Sequence, residues 1–111
     1  MTDDPIDREV LARLDFGDPP GEVLRMLVAT FLEHAPATGA ALTDGAARGD
    51  APAVHLAAHS LKSSARQYGA LDLGDRCEAI EAAAARGEVD ADAVAAAVAE
   101  LERVIAALSA L

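Results

Sequence analysis

The chain has no tryptophan and only 3% aromatic residues, which excludes a core organised around large flat rings. Its interior has to be built from Ala, Leu, Val and Ile, and alanine in such quantity favours closely packed helices over sheets. A single cysteine, Cys77, cannot close an internal disulfide, so a disulfide-stapled secreted scaffold is excluded. Cys77 sits in a helical pattern with Leu73, Ile80 and Glu81, where a small buried hydrophobe is its ordinary role. Cations are scarce too. With 9 Lys and Arg against 19 Asp and Glu, the net charge is -10, and phosphate backbones and anionic lipid repel such a chain. Neither nucleic acid nor a membrane surface is an expected partner. No apolar run reaches the ~20 residues that cross a bilayer. The acidic start MTDDPIDREV lacks the basic lead of a signal peptide, so a cytoplasmic location is expected.

What is present is a helical alphabet. Hydrophobic residues reach 52%, enough for a packed core, and 111 residues suit one compact domain spanning 1–111. Five helical segments can be read between Pro, Gly and Asp. The first covers about Asp7 to Asp15, with Val10, Leu11 and Leu14 on one side, and FGDPPGE breaks it. The second starts near Pro20 and carries Leu24, Leu27, Val28 and Phe31. Pro36 marks a kink or boundary, after which the pattern resumes through Leu42 and ends near ARGD. The third runs from Ala51, behind an Asp50 cap, to Tyr68 before Gly69. The fourth covers Ala70 to Arg86 before Gly87. The fifth begins near Asp90 and aligns Val94, Val98, Leu101, Ile105 and Leu108. The expected fold is all-α: an antiparallel four-helix bundle with a short additional N-terminal helix.

The third helix holds the chemistry. At 100° per residue, Val54, Ala57, Ala58, Leu61, Ser64, Ala65 and Tyr68 cluster on one side. His55, His59, Lys62, Ser63 and Arg66 lie opposite, which turns His59 toward water near the middle of the helix. A neutral imidazole is a nucleophile, and a solvated one is substantially neutral near pH 7. Lys62 and Arg66 would disfavour its protonated form, attract an incoming phosphoryl group and offset the charge of phosphohistidine. A basic stripe on an exposed helical face is, taken alone, more often a plain solvated surface. Two further roles compete for these residues. His55 and His59, one turn apart, could face a single metal ion, although Lys62 and Arg66 would repel a cation. Leu56, about 60° from His59, is either an apolar contact for a docking partner or an edge-of-core leucine. Exposed Glu22 and Glu33 would then steer the partner in.

The stretch His59-Ser60-Leu61-Lys62-Ser63-Ser64-Ala65, with Tyr68-Gly69-Ala70 and then Leu73, Cys77 and Glu81, resembles the histidine-containing phosphotransfer (HPt) family. That family's signature reads H-x-L-K-G-S/A, then an apolar residue followed by G-A, then a spaced L, C and L/I-E. FLEHAPATGAAL and AARGDAPAVHLAAHSLK resemble the approach to the histidine helix, and the likeness spans about Ile6 to Glu88. The resemblance implies a four-helix bundle that carries a phosphoryl group between aspartates of receiver domains. His59 would be the carrier, Lys62 its positive neighbour, Arg66 a further basic residue, and Gly69 the end of the histidine helix. One position departs: Ser63 stands where the family usually has a glycine that opens access to the imidazole.

Such a chain is a phosphocarrier and not an enzyme. It has no kinase catalytic domain, so His59 would be charged by another protein, a receiver domain or a hybrid histidine kinase. His55, Leu56, Ser60, Lys62, Ser63 and Arg66 would form the partner-facing surface. No cofactor or metal is expected on this chain; Mg2+ would be held by the partner receiver's carboxylates. A monomer is expected. The competing reading is a helical binding module that docks a receiver domain or histidine kinase without transferring anything.

Overall fold

The computed structural model describes residues 4–16 and 21–111. Five helices follow one another: α1 Arg8–Ala12, α2 Glu22–Ala47, α3 Ala51–Gln67, α4 Leu71–Ala85 and α5 Ala91–Ser109. Among the described residues there is no strand. The connections at 48–50, 68–70 and 86–90 are short, and short links place consecutive helices antiparallel. Helix α2 packs on α3, α3 on α4, α4 on α5, and α5 back on α2, so the four long helices close a ring. Inside it lie Leu42, Leu61, Leu73, Leu101 and Leu108, with Val54, Val104 and Cys77 filling the gaps. Phe31 and Tyr68 meet with ring centroids 5.0 Å apart, and the Tyr68 hydroxyl donates to the Leu27 carbonyl at 2.6 Å. Burying the tyrosine therefore leaves no unpaired O–H. No helix among the described residues is long and apolar enough to cross a membrane.

Local chemistry sets the helix ends. Asp50 accepts from the Ala53 N–H at 3.1 Å, and Asp90 accepts from the Asp92 and Ala93 N–H groups at 3.0 and 3.1 Å. Each aspartate satisfies donors that the first turn cannot pair internally. The expected start at Pro20 lies outside the described residues; α2 is helical from Glu22, after Gly21.

Pro36 does not divide α2, which runs unbroken past it. Proline removes the N–H that would bond the carbonyl four residues earlier, normally a break. Here Pro36 is exposed, while Phe31, Ala35, Gly39 and Leu42 on the other side are buried. Tertiary packing of that side holds the helix together across the missing bond.

The N-terminal segment is tied down at the turn between α3 and α4. Asp7 caps α1 through the Glu9 and Val10 N–H groups, and its own N–H donates to the Gly69 carbonyl at 2.7 Å. Ile6 and Leu11 are buried. Gly69 adopts φ +83, and a Cβ there would sit 2.5 Å from the Asp7 carbonyl oxygen, so backbone conformation and space both require glycine.

Candidate functional site

Helix α3 buries Val54, Ala57, Ala58, Leu61 and Ala65 and turns its other side to solvent. The His59 side chain is 59% exposed, and Leu56 beside it is 71% exposed, which makes Leu56 a surface residue and not part of the core edge. Ser60 and Ser63 are also exposed. The Ser63 hydroxyl donates to the His59 carbonyl at 3.3 Å, so it is turned along the helix backbone.

Helical spacing on α3 points to no role for Glu81, yet this residue organises the site. It lies on α4, 22 positions beyond His59 and 19 beyond Lys62. One carboxylate oxygen, Oε2, hydrogen-bonds His59 Nδ1; the other, Oε1, accepts from Lys62 Nζ. The Glu81 side chain is only 14% exposed and that of Lys62 19%, so the pair is partly shielded beneath the exposed imidazole. The Lys62 hydrogen bond holds the Glu81 carboxyl below its usual range; partial burial opposes this and the His59 bond adds to it. An ionised carboxylate can only accept, so Nδ1 carries a ring proton, and in the neutral imidazole the lone pair then lies on Nε2. A signal for this contact existed in the sequence. His59 lies ten residues before Gly69 and Glu81 twelve after it, and such positions meet across an antiparallel helical hairpin.

The other expected residues divide. His55 stacks parallel to His59, ring centroids 6.4 Å apart, with its Nε2 4.0 Å from Glu81 Oε2. Among the described residues no group of three or more His, Cys, Asp or Glu could hold a metal ion. Arg66 does not lie against the imidazole. Its guanidinium is 3.2 Å from Glu78 and 3.4 Å from Asp75, both on α4. Gly74 permits this, because a Cβ there would approach Arg66 Cγ to 2.8 Å. His34, on α2, shares with Ser60 and Gln67 a cavity of about 240 Å³ between α2 and α3. Cys77 is fully buried, and burial pushes its thiol up to about 11.

An exposed histidine on a bundle helix, with a lysine one turn on and a carboxylate bonded to Nδ1, leaves its other ring nitrogen open to solvent. The Hpt domain family model matches residues 26–111. The chain belongs to the Hpt domain family. Across the bundle, this Hpt domain is similar to the crystal structure of histidine-containing phosphotransfer protein B (HptB) from Pseudomonas aeruginosa PAO1. The TM-score is 0.77 at 28% identity, covering 96% of this chain and 90% of that one. No curated protein matches it in sequence. Histidine phosphotransfer within a phosphorelay is the activity that goes with this family and fold.

Proposed function

We propose that this Hpt domain carries a phosphoryl group on Nε2 of His59 between the aspartates of receiver domains. The observation that carries the proposal is the hydrogen bond from His59 Nδ1 to the ionised Glu81, which leaves the Nε2 lone pair on an exposed ring. In the loading step that lone pair attacks the phosphorus of an aspartyl phosphate. The N–P bond forms as the P–O bond breaks, and the aspartate leaves as a carboxylate with the electron pair. The Nδ1 proton stays on the ring, directed at Glu81. Unloading is the reverse, onto a second receiver's aspartate. Lys62, bonded to the same carboxylate as the ring, offsets the arriving charge.

Exposed Leu56 supplies an apolar contact for the receiver, flanked by His55, Ser60 and Ser63. The chain acts as a co-substrate, loaded by a receiver domain or by a hybrid histidine kinase, and Mg2+ belongs to the receiver's carboxylates. It works as a monomer in the cytoplasm, where its partners present their aspartates.

Labelled phosphoryl transfer from charged receiver domains tests this, with His59→Gln alongside. Label should appear on the wild-type chain only, acid-labile and base-stable as a phosphoramidate is. Circular dichroism should show both forms folded, because an exposed side chain contributes little to stability. No label from any of several receivers would leave the non-transferring binding module.

A further inference from the structure

We infer that the receiver domain docks on the α2 side of His59, seats one uncharged side chain in the cavity between α2 and α3, and leaves the α4 side uncovered. The inference rests on His59 being the carrier, and it concerns which flank of the histidine the partner covers.

The two flanks of α3 differ in charge. Toward α4, Lys62 is bonded to Glu81, and Arg66 is paired with Asp75 and Glu78. Toward α2 the surface is blank. Helix α2 has no Asp, Glu, Lys or Arg between Glu33 and Asp44, and α3 has none before Lys62. Thr30, His34, Ala37 and Ala41 follow one another at helical spacing along α2, and all four are exposed. Leu56, Ser60 and Gln67 are exposed on α3. Asp44, Arg48 and Asp50 gather at the turn between the two helices and pair with one another. In a chain whose residues are 25% charged, such a stretch beside the nucleophile has the composition of an interface centre, where charged residues are depleted. Covering the α4 flank would strip water from two cations and three carboxylates that are already paired. It would also set the receiver's carboxylates against Asp75 and Glu78, whose side chains are 76% and 59% exposed. Covering the α2 flank dehydrates no such ion, and it offers a socket. The cavity of about 240 Å³ is lined by Ser60, next in the chain to His59, by Ser64 and Gln67, and by the rings of Phe31 and Tyr68. An apolar stem with a hydrogen-bonding tip fits that lining, and a charged group does not.

The experiment uses the full chain with a single-domain receiver charged by labelled acetyl phosphate, and follows single-turnover transfer as the receiver concentration is raised. Ala37→Glu adds a carboxylate to the α2 flank. Ala82→Glu adds the same charge to an exposed position of α4, one residue beyond Glu81. Each follows a glutamate four residues earlier, Glu33 or Glu78, so the two variants match in net charge and in helical context. Ala37→Glu should raise the half-saturating concentration about tenfold with the plateau rate unchanged, because the new charge would be buried without a partner. Ala82→Glu should move it less than about twofold. Gln67→Glu, at the cavity, should act as Ala37→Glu does, and it keeps the test available if circular dichroism shows Ala37→Glu unfolded. Equal effects of Ala37→Glu and Ala82→Glu, a larger effect of Ala82→Glu, or a folded Ala37→Glu chain that saturates like wild type overturns the inference while leaving His59 as carrier. Absence of label on the wild type, or equal label on His59→Gln, overturns the carrier reading and this inference with it.

Discussion

Replacing Gly69 with alanine tests how the end of the histidine helix is built, and Gly87→Ala is its control. Both glycines have nearly the same left-handed backbone, φ +83 and φ +80. An alanine in that conformation costs about 1–2 kcal/mol at either site. Their surroundings differ. Nothing lies within 4 Å of a Cβ at Gly87, whereas a Cβ at Gly69 would meet the Asp7 carbonyl oxygen at 2.5 Å. That oxygen is backbone, so no rotamer change relieves the clash and the N-terminal segment has to move. Moving it breaks the Asp7 N–H bond to the Gly69 carbonyl and loosens Ile6 and Leu11. Fully exposing one such side chain forfeits about 1.5–3 kcal/mol, and the backbone freedom regained offsets part of it. The expected total is about 2–4 kcal/mol for Gly69→Ala against about 1–2 kcal/mol for Gly87→Ala. Urea unfolding followed by circular dichroism measures both. The Gly69 variant should also show a smaller m-value, because less surface remains to be exposed, and faster tryptic cleavage at Arg8 and Arg13. Equal losses for the two variants, with unchanged cleavage, would refute the view that the N-terminal segment clamps this turn.

Two other changes address single residues near the site. Cys77, its thiol pushed up to about 11 by burial, should resist iodoacetamide at pH 8, where roughly one thiol in a thousand is ionised, and react once urea unfolds the chain. Alkylation of the folded protein at the rate of a free cysteine would contradict the burial. Ser63→Gly should cost about 0.5 kcal/mol in helix stability while keeping or raising the rate of transfer from a charged receiver. A large fall in that rate would give the hydroxyl, now bonded to the His59 carbonyl, a positive role in transfer.

Helix α3 shows how much could be read from local order. Its caps, its buried stripe and the exposure of His59 all follow from residues within a few turns of one another, because helical periodicity is a local property. The same holds for the Asp90 cap of α5 and for Cys77 as a buried residue. Pro36 is the counter-example. Its local effect opposes the helix, and only burial of the facing residues decides that α2 continues. Arg66 is a second: helical spacing put it on the histidine side, but the acids of α4 and the missing side chain of Gly74 draw its guanidinium away.

The sequence by itself determined an all-helical chain, its turns, and a histidine with a lysine one turn later on an exposed face. Those properties depend on spacing along the chain, and spacing is what a sequence records. Only the tertiary structure decided that Glu81 stands between His59 and Lys62, that the imidazole proton lies on Nδ1, and that both cations of α3 are already paired. These depend on the depth and rotation with which two antiparallel helices pack. Small residues such as Gly74 and the many alanines set that packing through the space they leave empty.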